Sequence, residues 1–131
     1  MRWNRTLTWL AVINVIVATA HCVDNMVFFD DYPEPEWITG PMVVDVLFLV
    51  ALGLLALGVV AFRRRRRWLS VLGLTGFGLI SASALGHYLY APVSDLSLRM
   101  NALILAESLA ALVLLGFVAA SQARWPRVVA S

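Results

Sequence analysis

The sequence predicts an all-α integral membrane protein: a four-transmembrane-helix antiparallel bundle with an acidic, non-cytoplasmic cap loop between helices 1 and 2. Of its 131 residues, 61% are hydrophobic and only 14% are charged, whereas a soluble domain averages about 45–50% apolar and about 25% charged residues. So few polar side chains cannot cover the core of a soluble domain, and the bilayer is therefore the expected solvent.

The second observation is the grouping of the apolar residues into four long runs. The runs lie at about 7–23, 42–62, 68–90 and 98–120, and each has about the 17–25 residues that a helix needs to cross a membrane. The segments between them are too short for a second domain, so residues 1–131 are predicted to form a single transmembrane unit.

The first run has an alternative interpretation. It follows two arginines and ends in Ala18-Thr19-Ala20, which fits a secretory signal with a cleavage site before His21. Cleavage would leave three helices. We expect the helix to be retained, because cleavage would separate the polar end of the first helix from the rest of the bundle.

The first connection, residues 24–41, is predicted to be an ordered cap at the membrane surface. Pro33 and Pro35 disfavour a helix, because proline lacks a backbone N–H and has a fixed φ. The aromatic side chains of this segment are typical of a membrane–water interface. Its carboxylates either form a solvated face or belong to a lid that covers the mouth of the bundle and attracts cations.

The second connection consists of five consecutive arginines. A basic cluster of this size attracts polyanions, including nucleic acids. A short hairpin between two spanning helices instead predicts a topology signal that also binds anionic lipid headgroups, and no nucleic-acid partner is expected. These lipid and topology residues are Arg63, Arg64, Arg65, Arg66 and Arg67.

The charged residues also orient the predicted bundle. Five of the eight acidic residues lie in the first connection, and nine of the ten basic residues lie at the termini or in the second connection. The nine arginines are Arg2, Arg5, Arg63 to Arg67, Arg124 and Arg127. The positive-inside rule therefore places both termini in the cytoplasm, with loops 24–41 and 91–97 on the outer face of the plasma membrane.

A few strongly polar side chains interrupt the apolar runs, where such residues usually face the bundle interior and mark function. At about 1.5 Å of rise per residue, Asn14 and Glu107 are predicted to lie level near mid-membrane, close to Ser83. A shallower tier is predicted to contain His21, Asp24, Asp45 and His87.

Small residues recur every four positions on the third and fourth helices, a pattern that lets helices approach closely. One stripe contains Gly78, Ala82 and Gly86, and the other contains Ala102, Ala106 and Ala110. The two stripes predict that helices 3 and 4 pack tightly together.

Glu107 and His87 are the candidates for proton transfer, because a buried carboxyl and an imidazole are suited to moving a proton. A structural interpretation stays open, in which Glu107 is hydrogen-bonded to Asn14 or to a serine and holds helices together. The candidate ligand-binding residues are Asn14, His21, Asp24, Asn25, Trp37, Asp45, Ser83 and Asn101.

A metal site is a further alternative. Nitrogen and oxygen ligands for zinc, iron or copper are available from His21, Asp24, Asp45 and His87. No H-x-x-x-H or E-x-x-H pair occurs in the sequence, however, and no cofactor is predicted.

The segment His21-Cys22-Val23-Asp24-Asn25, together with Glu107, resembles the sterol isomerase and sigma-2 receptor family. Bundles of that family also place histidine, acidic and asparagine side chains in an intramembrane pocket. The resemblance covers little more than these six residues, and the chain is one helix shorter than that family's usual form. It implies a ligand pocket, and no catalytic role is transferred.

Three functions follow from these patterns as expectations. The first is binding of a small apolar molecule or ion in an outward-facing pocket, with isomerase-like proton transfer if the protein is an enzyme. The second is a non-enzymatic accessory subunit, either a homodimer or part of a larger membrane complex. The third is a small oligomeric transporter or channel, which the strong arginine bias disfavours in its dual-topology form.

Overall fold

Four long helices make up most of the protein. The structure, a computed structural model, describes residues 2–126, and in this range it contains no strand. The long helices are α1 (Arg2–Val27), α2 (Pro41–Arg63), α3 (Arg67–Ala82) and α4 (Leu98–Ala123), and a 3₁₀ helix, Ser83–Leu89, continues α3 directly. All four helical spans are long and apolar enough to cross a membrane.

Helix α1 is longer than the apolar run that predicts it. It begins at Arg2 and continues through Ala18–Ala20 to Val27. Near its start, the Thr8 hydroxyl donates to the carbonyl of Asn4 at 2.8 Å, so the polar side chain is satisfied within the helix. Hydropathy detects only the apolar part of a helix, so the polar residues at both ends of α1 fall outside the predicted run.

The third predicted helix changes geometry partway along. The α-helix ends at Ala82, and residues Ser83–Leu89 form a 3₁₀ helix with about three residues per turn. Ser83 and His87 are therefore no longer stacked one α-turn apart, and the stripe of small residues does not continue to Gly86. The Ser83 hydroxyl instead donates to the carbonyl of Ile80 at 2.6 Å and is exposed.

Each long helix packs against two others, in the pairs α1–α2, α2–α3, α3–α4 and α1–α4. Helices α2 and α3 approach each other closely, since a Cβ on Gly73 would lie only 2.5 Å from the backbone nitrogen of Gly58. Only glycine fits this crossing. The principal core lies on the same side of the molecule as the arginine hairpin and includes Leu7, Leu55, Phe62, Leu74, Phe77 and Leu114.

The predicted contact between the two small-residue stripes is only partly present. A Cβ on Gly78 would lie 2.7 Å from Cδ2 of Leu115, so this glycine does face α4. The prediction for α4 is wrong, because Ala102 and Ala106 are exposed. The buried face of α4 follows a different set of positions, with Ile104, Glu107, Ser108, Ala111 and Leu114 at its centre.

The arginine hairpin forms a compact turn between α2 and α3. The N–H of Arg66 donates to the carbonyl of Ala61 at 2.8 Å, and the N–H of Arg65 donates to Phe62 at 3.0 Å. Together with a φ of 59° at Arg65, these bonds define a Schellman motif. Two of the arginines also bond to other helices: Arg63 donates to Thr8 at 3.1 Å, and Arg67 donates to Gln122 at 2.8 Å.

Candidate functional site

A cavity of about 290 Å³ lies among α1, α2, the 3₁₀ helix and the first loop. One part of its wall is apolar and comes mainly from α2, with Val44, Leu47, Phe48, Ala51 and, from α3, Ile80. Five polar side chains of the wall form a connected cluster, which we call the polar cluster. It consists of His21, Asn25, Glu34, His87 and Glu107.

The polar cluster is centred on a contact between α1 and α4. Nδ1 of His21 lies 2.5 Å from Oε2 of Glu107, and both side chains are buried. The geometry of α1 places His21 on its inner face, one turn from Ala18 and one turn from Asn25, which are both buried as well. A histidine and a carboxylate this close share a proton or form an ion pair.

The first loop is attached to the same cluster by two contacts. Asn25 donates from Nδ2 to Oε1 of Glu34 at 2.6 Å. The ring of His87 donates from Nδ1 to the carbonyl of Pro33 at 3.1 Å, and the same nitrogen lies 3.8 Å from Oε1 of Glu34. The loop is thus fixed over the cavity by residues of α1 and of the 3₁₀ helix.

Three rings pack together where the loop meets the helices. The ring centroids of His21 and His87 are 5.5 Å apart in an edge-to-face arrangement, and Tyr32 lies 5.6 Å from His21 and 5.2 Å from His87. Such contacts orient both imidazoles.

The hydroxyl of Tyr32 belongs to a separate group of charged contacts. It donates to Oδ2 of Asp24 at 2.8 Å, and Oδ1 of the same carboxylate lies 3.1 Å from Nε of Arg99. Burial raises the pKa of Tyr32, and its hydrogen bond to Asp24 raises it further, while the charge of Arg99 lowers it in part. The Arg99 guanidinium also lies 3.7 Å from the ring centroid of Phe28. These contacts bind the start of the loop to α1 and α4.

Two side chains that line the cavity each contain a buried atom without a hydrogen-bond partner among residues 2–126. The atoms are Nε2 of His21 and Oδ1 of Asn25, on side chains only 6% and 3% exposed. Two other buried atoms lack a partner away from the cavity wall, Oδ1 of Asn14 and Oγ of Ser108. A buried polar atom normally has a partner, because leaving one unsatisfied costs about 1–3 kcal/mol.

The structure brings six of the predicted site residues to this cavity: His21, Asn25, Trp37, Ser83, His87 and Glu107. Four others lie elsewhere. Asn14 donates to the carbonyls of Leu10 and Ala110, and Asn101 caps the second loop by contacting Tyr88, Val93 and Leu96. Asp24 bonds to Tyr32 and Arg99, and Asp45 is half-buried in α2 away from the cavity wall.

The predicted level of Asn14 with Glu107 is wrong. Glu107 bonds to His21, which was assigned to the shallower tier, whereas Asn14 contacts the carbonyl of Ala110, one turn farther along α4. The predicted depths assume that helix 1 ends at Val23. Helix α1 instead continues to Val27, so other residues of α1 lie level with Glu107 on α4. Glu107 thus contacts His21, whereas His87 contacts Pro33, and the assignment of Glu107 and His87 to proton transfer stays a prediction.

The candidate metal ligands do not converge. Within residues 2–126, no group of three or more histidine, cysteine, aspartate or glutamate side chains is arranged to hold a metal ion. The carboxylate of Asp24 is engaged by Tyr32 and Arg99.

Sequence reasoning missed Glu34, Tyr32 and Arg99 as members of the site. Glu34 carried no signal beyond its place in an acidic loop. Arg99 did carry one, because it is the only arginine outside the three basic segments and is close in sequence to Asp95.

Comparison of the chain with protein-family models, with curated proteins and with solved structures finds no match.

Proposed function

We propose that this protein is an integral membrane protein, an antiparallel four-helix bundle that binds a small and largely apolar molecule in its cavity. The polar cluster would hold the polar group of the ligand, and the α2 side of the wall would hold its apolar part. The contacts of the polar cluster support binding of a ligand rather than a catalysed reaction.

One observation carries the proposal: the mostly apolar wall of the cavity includes the buried side chain of His21, whose Nε2 has no partner among the described residues. The other ring nitrogen is already engaged by Glu107, so the ring cannot rotate to satisfy Nε2 without losing that contact. A ligand group at this position would restore the missing hydrogen bond and recover its stabilisation.

The size and chemistry of the cavity suit a small molecule. A volume of about 290 Å³ corresponds to roughly ten water molecules at about 30 Å³ each, far more than a single ion or ordered water needs. Ligand pockets are mostly apolar, with a few polar groups that set orientation, and this wall has that composition. A dry, fully packed interior would instead have favoured an accessory subunit.

The distribution of charge supports the proposed orientation. The contacts between α1 and α4 pair residue 24 with 99, 21 with 107 and 14 with 110, as expected for neighbouring helices that run in opposite directions. The arginines at one side and the acidic loop at the other fit cytoplasmic termini and an outer cavity mouth in the plasma membrane. Arg127, which also belongs to the predicted basic side, lies outside the described residues.

The experiment that tests the proposal is native mass spectrometry of the protein purified in mild detergent, followed by identification of any bound small molecule. Gly86→Leu places a side chain at the cavity wall, where a Cβ meets no atom within 4 Å. Gly116→Leu is the matched control, because that glycine also has open space but lies on α4 away from the cavity. We expect a bound species with the wild type and the control, and its loss with Gly86→Leu. Equal occupancy of all three proteins, or a wild type without a bound molecule, would contradict the proposal.

A further inference from the structure

A second cavity, of about 340 Å³, lies between the start of α1 and the end of α4. We call it the basic pocket, and it is lined by Arg2, Trp3, Thr6, Phe117 and Arg124. The antiparallel packing of α1 against α4 brings these residues together from opposite ends of the chain. Arg2 precedes His21 by 19 residues, which is roughly 28 Å along a helix. The basic pocket is therefore separate from the cavity of the polar cluster.

Part of the lining of the basic pocket is aromatic. The ring centroids of Trp3 and Phe117 are 5.6 Å apart, and Phe117 is buried. The hydroxyl of Thr6 donates to the carbonyl of Arg2 at 3.1 Å, so its hydrogen is already used within the helix. This leaves the guanidinium groups of Arg2 and Arg124 as the charged hydrogen-bond donors of the pocket.

The positive charge of the basic pocket is not balanced within residues 2–126. The ion pairs of that range involve neither arginine. On α1 the acidic residue nearest to Arg2 is Asp24, 22 residues away, and on α4 the one nearest to Arg124 is Glu107, 17 residues away. At about 1.5 Å of rise per residue, both separations are roughly 25 Å or more. An anion bound in the pocket would supply the missing negative charge.

Two guanidinium groups that line one cavity suit a phosphate group. A guanidinium presents its N–H donors in a planar fork, and this fork matches two oxygens of a phosphate. The volume of about 340 Å³ corresponds to roughly eleven water molecules at about 30 Å³ each, so a phosphate and several waters fit. Arginines that serve only as a topology signal need to lie on the correct side of the membrane, and they have no reason to line a cavity.

The position of the basic pocket in the chain favours a lipid as the source of the phosphate. Tryptophan is enriched at the membrane–water interface, and Trp3 lies just before the first apolar run. In the proposed orientation the pocket faces the cytoplasmic leaflet, where anionic lipids attract arginine. Beside the two guanidinium groups, Trp3 and Phe117 offer an apolar surface to the first carbons of the acyl chains.

We propose that the basic pocket binds the phosphate headgroup of an anionic lipid, which accepts hydrogen bonds from the guanidinium groups of Arg2 and Arg124. The proposal uses the membrane orientation given above. It does not depend on the molecule bound in the cavity of the polar cluster.

The test is native mass spectrometry of the purified protein in mild detergent, titrated with dioleoyl phosphatidic acid or with dioleoyl phosphatidylcholine. The two lipids share their acyl chains, but only phosphatidic acid has a net negative charge. Salt at about 0.15 M screens the attraction of charges more than about 8 Å away. We expect phosphatidic acid to bind at least about tenfold more tightly, as hydrogen bonds between charged groups imply.

Two variants locate the site. Arg2→Gln and Arg124→Gln each remove one guanidinium from the pocket, and each should weaken binding of phosphatidic acid about tenfold. Arg5→Gln is the matched control, because Arg5 is also an exposed arginine near the start of α1 but does not line the pocket. It should weaken binding by about twofold or less. All three arginines are exposed, so the variants are expected to fold.

Three results would overturn the proposal. The first is equal binding of the two lipids by the wild type. The second is equal weakening by Arg2→Gln, Arg124→Gln and Arg5→Gln, which would indicate attraction to the basic surface as a whole. The third is displacement of phosphatidic acid by inorganic phosphate at the same concentration, because the ligand would then be free phosphate.

The arginine hairpin is the competing lipid site, and one further variant distinguishes it. If Arg64→Gln releases phosphatidic acid while Arg2→Gln and Arg124→Gln retain it, the headgroup binds at the hairpin and the proposal is overturned. None of these results concerns the molecule in the cavity of the polar cluster, so failure of this proposal leaves the proposed function standing.

Discussion

Nδ1 of His21 and Oε2 of Glu107 lie 2.5 Å apart although 86 residues separate them in the chain. The contact joins α1 to α4 at the wall of the cavity, and it leaves only the second nitrogen of the ring for anything else. Because both side chains are buried, neither can be lost without leaving the other unpaired in an apolar environment.

We predict that removing either partner alone is strongly destabilising. Glu107→Leu should lower the free energy of unfolding by about 3–5 kcal/mol, because it leaves the His21 imidazole buried without its partner. Glu107→Gln retains a hydrogen-bonding group and should cost less. Unfolding in mixed micelles with increasing denaturing detergent, followed by circular dichroism, measures both.

The double variant His21→Leu with Glu107→Leu separates the pair from the individual side chains. It should be more stable than Glu107→Leu alone, since no unpaired polar group remains. Strictly additive losses would show that the two side chains do not interact.

The crossing of α2 and α3 gives a second prediction. Gly73→Ala should lower the free energy of unfolding by about 1–3 kcal/mol, because the new methyl group meets the backbone of Gly58 and forces the helices apart. Gly53→Ala is the matched control in α2, where a Cβ meets no atom within 4 Å. The control should be neutral or stabilising, by up to about 1 kcal/mol, as alanine favours a helix over glycine. Equal effects at both positions would contradict the close approach.

The arginine hairpin gives a third prediction. Arg65 has a φ of 59°, a left-handed conformation that costs a residue with a Cβ about 1–2 kcal/mol. Arg65→Gly should therefore stabilise the protein by about 1 kcal/mol while keeping the turn. Arg64→Gly, at a residue with a φ of −85°, should not stabilise it. If both variants are more stable in the same unfolding assay, the cause would be reduced repulsion among the arginines rather than relief of the left-handed conformation at Arg65.

Tyr32 gives a fourth prediction, which concerns pH. Its pKa is raised in the folded protein, mainly by burial and then by the hydrogen bond to Asp24, whereas an unfolded tyrosine loses its proton near about pH 10. Below that pH both states hold the proton, and Tyr32 adds no pH dependence. Above it the unfolded chain binds fewer protons than the folded protein, so the free energy of unfolding falls as pH rises.

Unfolding measured from pH 7 to 11 checks this prediction. Tyr32→Phe should lower stability at neutral pH and make the alkaline decline shallower. Tyr88→Phe is the control, because it also removes a half-buried tyrosine hydroxyl, which is bonded to Asn101 rather than to a carboxylate. An unchanged alkaline slope in Tyr32→Phe would contradict the assignment.

Much of the helical architecture could be predicted from hydropathy, because a run of about twenty apolar residues has few other solutions in a membrane. The four runs correspond to four helical spans in the described residues. The exact ends were less predictable, since α1 continues through polar residues to Val27. The change from α to 3₁₀ geometry at Ser83 was not predicted; within this 3₁₀ helix, His87 bonds to the carbonyl of Pro33 in the first loop, a contact that hydropathy does not report.

The residues of the polar cluster were easier to predict than their partners. His21, His87 and Glu107 stand out because polar side chains are rare within apolar runs. Their pairing depends on the relative register of α1 and α4, where an error of four residues is slightly more than one turn. Glu34 reaches the cluster only through the fold of the loop, so no local pattern could have assigned it.

The most direct measurement is the nitrogen NMR spectrum of ¹⁵N-histidine-labelled protein, recorded with its bound molecule and again after that molecule is removed by detergent exchange. The chain contains two histidines, so two imidazole rings are observed. The ring that is lost in His21→Phe belongs to His21, and its signals should shift when the bound molecule is removed from the wild type but not in Gly86→Leu. A His21 ring that is unchanged by removal of the bound molecule would contradict a ligand held by the polar cluster.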